Sequence, residues 1–352
     1  MAVVLIRERH FKRVRILVLK DRNPGHYHIA QGVAQAIGLS VAVDVQELDL
    51  RPRLFFKNSS FTSRILPLLK WVPRIGLYLI YGKKFTRGAP VDIVISCGSG
   101  MIPAVLLIGQ YGGAKTVFCG GTAKYDPQSF DLILTQSPIS KHNVGPIVST
   151  IMPSKVNFAE LRAPKIMRSD EDFKRIEIAV LIGGPTAERC YEESDWRRLV
   201  EIVEELYKKF DVRWRITTSR RTPDIVLQQL LPLVKNGQIS EFVDFNKAGP
   251  GSSLPLLNSD LIFVTEDSSS MISEAIASGR PVVICEGKKL KPIRFDEVIE
   301  AYIQDRKAIK FRMGDLEIGK IIAGVVAQMP RQTDYMVEIS RLVTSALELS
   351  EA

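Results

Sequence analysis

Residues 260–285 have the sequence DLIFVTEDSSSMISEAIASGRPVVIC, and this stretch decides the fold. Its first apolar run predicts a strand at 260–265, because a short apolar run bounded by polar residues is typical of a buried strand. A hydroxyl-rich turn follows, and the apolar spacing at 269–278 predicts a helix that ends before Gly279. A second apolar run predicts a strand at 281–285. Strand, helix and strand in this order predict a parallel βαβ unit.

The same alternation extends over most of the chain. Residues 151–175 interrupt it with prolines and an acidic run, and they are interpreted as the connection between two domains. The fold class is therefore predicted to be α/β, with two Rossmann-like doubly wound domains that face a cleft. Further strands are predicted at 14–19, 41–48, 91–96, 115–119, 131–135, 176–182 and 214–218, and further helices at 26–37, 195–209 and 223–233. The predicted domains are 1–155, a linker at 156–175, a second domain at 176–328, and a C-terminal helix at 329–352 that packs back on the first domain.

The bulk composition limits the classes of function. Of 352 residues, 45% are hydrophobic and 25% are charged, which is typical of a globular chain and excludes a disordered one. The net charge of +9 favours anionic partners. Residues 51–90 alone carry nine basic residues and no acidic residue, so the rest of the chain is balanced.

Cysteine and histidine usage predicts no metal site, because the four cysteines and four histidines lack the spacing of metal ligands. The cysteines lie in or beside apolar runs, which suits buried thiols in a reducing, cytoplasmic compartment. The apolar run at the start is too short for a secretory signal. No run of about 18 apolar residues predicts a membrane-spanning helix.

The turn within the opening stretch is the strongest candidate for a ligand site. A strand end runs into a serine-rich helix start, which presents free N–H groups and the positive end of the helix dipole to an anion. Glu274, further along the helix, is placed to bind ribose hydroxyls. The alternative is an ordinary capped helix, although three serines exceed what one cap needs. The candidate substrate-binding residues here are Glu266, Asp267, Ser268, Ser269, Ser270, Met271 and Glu274.

Two further loops of the second domain follow predicted strands. Gly183 and Gly184 permit close approach of a ligand, although they do not form the GxGxxG dinucleotide fingerprint and a tight turn explains them equally well. The second loop contains Ser219, Arg220 and Arg221, which place positive charge at a strand end. All five are candidate substrate-binding residues, because parallel strands bring these loops to one edge of the sheet.

In the first domain, the turn after the first predicted strand contains Gly25 and His26. Histidine is suited to proton transfer near neutral pH, and His26 is the candidate catalytic base. Gly25 is a candidate substrate-binding residue. The alternative is a helix start with surface histidines.

Residues 61–85 combine leucine, isoleucine, tryptophan and tyrosine with basic residues only. Aromatic residues beside lysine and arginine suit the interface of an anionic membrane. Pro67 and Pro73 are expected to prevent one long helix. The alternative is a partly buried helix with basic ends. Nucleic acid is not predicted as a partner, because the segment is too apolar for a groove that follows a phosphate backbone.

The sequence resembles the Elm mitochondrial-fission family, which includes many bacterial members. The stretches that carry the resemblance are RITTSRRTP at 215–223, VTEDS at 264–268 with SMISEA at 270–275, and GRPV at 279–282. The turns at 181–185 and 21–26 fit as well, although the first turn departs from the family pattern at Tyr27 and His28. The family is in turn similar to GT-B glycosyltransferases and to non-hydrolysing sugar-nucleotide epimerases.

Together with the 61–85 segment, the resemblance predicts a peripheral membrane glycosyltransferase of GT-B architecture at the inner, cytoplasmic face of a membrane. It implies a nucleotide-diphosphate sugar donor, a lipid or lipid-linked acceptor, and no metal or further cofactor. Glu274 would hold the ribose, residues 268–270 would hold the pyrophosphate, and His26 would act on the acceptor side. One alternative is a non-catalytic membrane-associated scaffold related to the mitochondrial fission factors. Another is a sugar-nucleotide epimerase, whose chemistry would use Glu266 and Asp267 as acidic groups.

Overall fold

The computed structural model describes residues 13–56, 59–83, 91–136, 146–153, 161–249, 253–328 and 335–349. Spatial contacts divide the chain into two compact units. Among the described residues, the first unit takes in 13–135, 146–153 and 336–349. The second unit takes in Gln136 and the described residues of 161–335.

The first unit contains a parallel sheet whose inner strands are buried apolar runs. The strands are β1 Val14–Lys20, β2 Val43–Asp49, β3 Ile93–Cys97, β4 Lys115–Cys119, β5 Leu132–Thr135 and β6 Ile147–Ser149. They lie in the order β2-β1-β3-β4-β5-β6, and every neighbouring pair is parallel. The strand order reverses direction between β1 and β3. Ligands bind at such a switch point, beyond the carboxyl ends of the strands.

The helices of the first unit mostly begin with a proline in their first turn. They are α1 Pro24–Gly38, α2 Ser59–Leu69, α3 Pro73–Tyr81 and α4 Ile102–Gly112. Helix α1 begins after Asn23, whose side chain accepts a hydrogen bond from the amide of Gly25. The 61–85 segment is divided into two helices at Pro73, which begins α3, whereas Pro67 lies inside α2. A proline is tolerated in the first turn of a helix, where its missing N–H would have no partner.

The second unit contains a second six-stranded parallel sheet. Its strands run β7 Glu177–Leu181, β8 Arg189–Cys190, β9 Arg213–Thr217, β10 Ile239–Val243, β11 Leu261–Thr265, β12 Val282–Glu286, β13 Lys288–Lys289 and β14 Ile309–Arg312. The sheet order is β10-β9-β7-β11-β12-β14, while β8 and β13 form a short antiparallel pair. Counted within this unit the order is 3-2-1-4-5-6, the Rossmann order, with its switch point between β7 and β11.

Helices of the second unit connect these strands, and a final helix belongs mainly to the first unit. The connecting helices are α5 Glu193–Phe210, α6 Asp224–Lys235, α7 Phe245–Ala248, α8 Ser269–Ala277, α9 Arg294–Gln304 and α10 Ile318–Ala327. The final helix, α11 Tyr335–Ala346, is joined to the first unit by a 2.6 Å hydrogen bond between the hydroxyls of Ser40 and Ser340. None of the helices in the described ranges is long and apolar enough to cross a bilayer.

The predicted α/β class with two Rossmann-like domains is confirmed. The sequence did not predict β6, β10 and β14, and each of these is an edge strand. An edge strand is partly exposed, so its apolar run is shorter or mixed with polar residues. The bounds of the predicted strands and helices differ from the observed bounds by at most two residues in the second unit.

Candidate functional site

The switch point of the second unit gathers the three polar loops that the sequence singled out. Strand β7 pairs with both β9 and β11, so the loops that follow these strands leave the sheet side by side. The loop after β7 carries the glycine pair, the loop after β9 carries the two arginines, and the loop after β11 carries the serine-rich turn. The three loops therefore lie at one edge of the sheet, as was expected for loops that follow parallel strands.

A buried carboxylate holds the three loops together. The side chain of Asp267 has no exposed surface and accepts a hydrogen bond from the amide of Gly184 at 3.1 Å. It also accepts one from the hydroxyl of Tyr191 at 3.1 Å and a charged one from the guanidinium of Arg221. A carboxylate satisfied in this way positions its neighbours. Because neither carboxylate oxygen of Asp267 is exposed, the predicted role of Asp267 in substrate binding stays a prediction.

The glycine pair makes room for this carboxylate and for the arginine loop. A Cβ atom at Gly183 would lie 2.6 Å from the carboxyl carbon of Asp267. A Cβ atom at Gly184 would overlap the backbone of Arg221 and lie 2.9 Å from its Cβ. Both glycines are buried. Their lack of a side chain therefore serves close packing of the loops, and a substrate contact remains a prediction.

The arginine loop separates its two cations. Arg221 is committed to Asp267, whereas the exposed side chain of Arg220 makes no hydrogen bond or ion pair with any residue that the structure describes. Ser219 shapes the turn, since its hydroxyl accepts a hydrogen bond from the amide of Arg221 at 3.1 Å. Thr222 does not cap helix α6. Its hydroxyl instead donates to the carbonyl of Gly183 at 2.7 Å, which ties the second loop to the first.

Glu266 lies in a buried ion-pair cluster that the sequence did not reveal. Its side chain has no exposed surface and accepts a hydrogen bond from Arg189 at 3.1 Å. Arg189 is itself buried and also binds Asp296. Burial raises the pKa of Glu266, and the nearby Arg189 partly offsets this shift. No sequence pattern could have paired Arg189 with Glu266, because 77 positions separate them and both lie outside periodic segments.

The start of α8 offers donors to an anion. The side chain of its N-cap, Ser268, forms no capping hydrogen bond, so the amides of the first turn receive no cap from that side chain. Ser269 is exposed, and Ser268, Ser270 and Met271 are half-buried. The hydroxyls of Ser268 and Ser270 lie 3.4 Å apart. The positive end of the helix dipole adds to this arrangement, which suits a phosphate group.

The second turn of α8 is largely buried. Glu274 is 8% exposed, and it has an interaction partner within the protein. The neighbouring Ser273 donates to the carbonyl of Ser269 at 2.7 Å and receives a hydrogen bond from Gln136. Gln136 also donates to the hydroxyl of Tyr302 at 3.2 Å, which fixes the helix against α9. The predicted ribose contact of Glu274 stays a prediction.

The switch point of the first unit contains an aspartate–histidine pair. His26 Nδ1 lies 2.6 Å from a carboxylate oxygen of Asp21, and its Nε2 lies 3.2 Å from the side-chain amide of Asn23. In the neutral imidazole, a hydrogen bond from Nδ1–H to this carboxylate leaves the lone pair on Nε2. Gly98, which follows β3, has φ of +91° and passes so close that a Cβ atom there would lie 2.5 Å from Nδ1. Gly25 is half-buried, and its amide is used by the N-cap.

Comparison with known proteins identifies the family. Residues 24–330 match the family model described as Mitochondrial fission ELM1. The chain belongs to this family. The resemblance to the Elm family that was inferred from the sequence is therefore confirmed. A comparison of the ELM1-family chain with curated proteins finds no match.

Solved structures similar to the ELM1-family chain share its fold. The S. aureus MnaA–UDP co-structure is 13% identical, with a TM-score of 0.51 and coverage of 96% of this chain and 98% of that one. UDP-GlcNAc 2-epimerase from Neisseria meningitidis bound to UDP-GlcNAc is 14% identical, with a TM-score of 0.51 and coverage of 96% and 100%. The glycosyltransferase of kitacinnamycin is 12% identical, with a TM-score of 0.50 and coverage of 96% and 100%. These likenesses establish the GT-B-like fold class of two Rossmann-like domains.

Within the described ranges, no group of three or more histidine, cysteine, aspartate or glutamate residues is placed to hold a metal ion. The exposed and half-buried groups at the start of α8 are hydroxyls and backbone amides, which bind anions, while the carboxylates Glu266, Asp267 and Glu274 are buried.

Proposed function

We propose that the protein is a GT-B-type glycosyltransferase that uses a nucleotide-diphosphate sugar as donor. One observation carries this function. Three polar loops and the start of α8, whose N-cap side chain forms no capping bond, meet at the switch point of a sheet with the Rossmann strand order. The Asp21–His26 pair at the switch point of the first unit supplies a group that accepts a proton. The donor and the acceptor of a group transfer thus each have a candidate site.

The donor would be held through its diphosphate. The amides at 269–271, the dipole of α8 and the exposed guanidinium of Arg220 would bind the phosphate oxygens and stabilise the charge of the departing diphosphate. Glu274 would bind the ribose hydroxyls. UDP is the first nucleotide to test, because the MnaA and Neisseria meningitidis structures contain UDP or UDP-GlcNAc. No cofactor other than the donor and no metal is part of the proposed reaction.

The acceptor hydroxyl would be activated by His26. Nε2 would take the hydroxyl proton as the acceptor oxygen forms its bond to the anomeric carbon, while the bond from that carbon to the diphosphate breaks. Asp21 would hold the imidazole in the tautomer that leaves Nε2 unprotonated, and it would stabilise the imidazolium that forms. Asn23 would have to release Nε2 when the acceptor binds, because its amide donates to that nitrogen here.

The proposed acceptor is a lipid or a lipid-linked sugar at the cytoplasmic face of a membrane. The segment 61–85 supports this choice, since the described part of it combines exposed apolar residues with basic ones and belongs to the same unit as His26. The protein would then associate peripherally with the bilayer.

An epimerase is the less favoured alternative. That reaction would use Glu266 and Asp267 as acidic groups, and both side chains are fully buried in ion pairs with arginine. Groups committed in this way do not reach a substrate without breaking buried charge pairs, which is costly. A non-catalytic scaffold differs from both enzymes because it predicts no nucleotide binding.

Thermal-shift measurements on the full chain test the donor site. UDP, GDP, CMP and their sugars would be compared, and a ligand present at about 100 times its Kd adds about 2.7 kcal/mol to the stability of the folded state. We expect one nucleotide and its sugar to raise the melting temperature. Glu274→Gln should reduce the shift, while Glu297→Gln, an exposed helical glutamate of the same unit, should not. Absence of a shift with every nucleotide would favour the scaffold.

A further inference from the structure

We propose that one face of the first unit inserts into the interface of an anionic lipid bilayer, with Trp71 at its tip. This insertion surface is formed by Leu54, Phe55, Leu68, Trp71 and Ile75. The inference deepens the acceptor side of the proposed function. Membrane binding through this surface does not require glycosyl transfer. Membrane binding and the proposed transferase activity are therefore tested by separate experiments.

The exposed apolar side chains of the chain are concentrated in this region. Trp71 is 88% exposed, Phe55 is 85% exposed and Leu54 is 78% exposed. Leu68 and Ile75 are 72% and 55% exposed. Isolated exposed apolar residues are ordinary on a soluble protein, whereas a group of large ones marks an interaction site.

Helix α3 is apolar on both of its faces. Gly76, Leu77, Ile80 and Tyr81 are buried against the unit. The opposite face continues from the preceding turn and consists of Trp71, Val72, Ile75, Tyr78 and Leu79, all at least 40% exposed. The two sets follow the same helical spacing, one turned inward and one outward. A helix that is apolar all round is normally covered on all sides, so the outward face requires a partner.

The pieces of the insertion surface are connected. The amide of Arg53 donates to the carbonyl of Ile80 at 2.8 Å, and its guanidinium lies 5.4 Å from the ring centre of Tyr78. These contacts hold the turn with Leu54 and Phe55 beside α3. Thr62 of α2 donates to the carbonyl of Phe56 at 3.0 Å, which joins the same turn to α2. The surface therefore includes a turn before residue 61, outside the segment predicted from the sequence.

The surrounding charges select an anionic bilayer as the partner. In the described residues from 51 to 83 the ionisable side chains with a charge at neutral pH are all basic: Arg51, Arg53, Arg64, Lys70, Arg74 and Lys83. Such residues attract acidic headgroups while the apolar side chains between them enter the acyl boundary. A second copy of the chain would bring the same positive charges together, so like-charge repulsion disfavours a dimer through this face.

Tryptophan fluorescence measures the insertion without a label. The chain has three tryptophans, and Trp196 and Trp214 are 2% and 0% exposed, so Trp71 alone reports contact with the surroundings. Vesicles of phosphatidylcholine with phosphatidylserine would be titrated into the full chain, with pure phosphatidylcholine in parallel. We expect a blue shift of the emission and quenching by lipids brominated on the acyl chain, with anionic vesicles strongly preferred and added salt weakening the binding.

Two charge-introducing variants separate insertion from nonspecific adsorption. Phe55→Asp should lower the vesicle partition coefficient about tenfold or more, because a charge replaces an exposed aromatic side chain that would insert into the bilayer. Leu231→Asp, at a residue of the second unit that is 43% exposed, should leave the coefficient unchanged. Nucleotide thermal shifts of Phe55→Asp should match those of the parent protein, which distinguishes loss of membrane binding from failure of the donor site.

Three results would overturn the insertion surface. They are unchanged emission with anionic vesicles, equal binding to neutral and anionic vesicles, and a Phe55→Asp variant that binds as well as the parent. A blue shift that appears in lipid-free protein as its concentration rises would assign the face to self-association instead.

Discussion

Gly183→Ala tests whether Asp267 is the centre of the loop arrangement in the second unit. The new methyl group would collide with the carboxylate, and this glycine has no positive φ, so the collision is the only expected source of strain. Displaced from its position, Asp267 would weaken its hydrogen bonds to Gly184, Tyr191 and Arg221. All three bonds end on a carboxylate, and hydrogen bonds to a charged group contribute about 1.5–3 kcal/mol each.

The expected loss follows from these bonds. Gly183→Ala, which weakens these bonds but keeps the carboxylate, should lower the free energy of unfolding of the second unit by about 3 kcal/mol, and Asp267→Ala, which removes all three bonds, should cost about 5 kcal/mol. The double variant should also cost about 5 kcal/mol and not the sum of about 8 kcal/mol, because Asp267→Ala removes the group that the new methyl would meet. The coupling energy of the double-mutant cycle is thus predicted to be about 3 kcal/mol.

Equilibrium urea unfolding measures this coupling. In a Trp71→Phe background, the fluorescence comes from Trp196 and Trp214, which both lie in the core of the second unit. The signal therefore follows that unit in a chain where the two units need not unfold together. Gly319→Ala is the matched control, since nothing lies within 4 Å of a Cβ atom there. Additive effects of Gly183→Ala and Asp267→Ala would refute the proposed role of the carboxylate.

Three further predictions concern individual charged groups. Asp21→Asn should lower kcat for glycosyl transfer about 10²-fold and change its pH profile, since His26 would lose its orienting carboxylate, while nucleotide affinity should stay constant. Burial raises the pKa of Asp260, but hydrogen bonds from Arg162 and backbone amides outweigh it and lower the pKa below its usual 3.8. Stability is therefore lost as the pH falls below about 4, and Asp260→Asn should remove this acid sensitivity while costing about 1–3 kcal/mol at pH 7 in urea unfolding. Arg220→Ala should weaken nucleotide binding about tenfold in calorimetry with no change in the urea midpoint. A lowered urea midpoint would contradict the assignment of Arg220 as a ligand-binding residue with no role in stability.

The central strands could be predicted from the sequence because they are continuous buried apolar runs. Strands β3, β7 and β11 lie in the middle of their sheets, and their residues are almost all buried. The gathering of the polar loops also followed from the sequence, since parallel strands end at a common edge. Three edge strands, β6, β10 and β14, were missed, whereas the edge strand β2 was predicted; β10 and β14 are mostly half-buried and lack a continuous buried apolar run.

The direction of individual side chains could not be predicted. Glu266 and Asp267 stand next to each other in a polar turn, and nothing in the local sequence indicates that both carboxylates turn inward to arginines. The partners Arg189 and Arg221 lie in other loops and meet these acids only through the folded sheet. Asp21 was recognised as part of a turn, and its pairing with His26 emerged only from the geometry.

The central claim is that the carboxyl edge of the second sheet binds a nucleoside diphosphate. Hydrogen exchange of the full chain, measured by mass spectrometry with and without millimolar UDP, GDP or CDP, tests it at the level of individual segments. We predict that one nucleotide slows amide exchange in residues 268–272 and in the loop at 182–184. Exchange in helix α5 should stay the same. Unchanged exchange in these two segments with every nucleotide would contradict the claim.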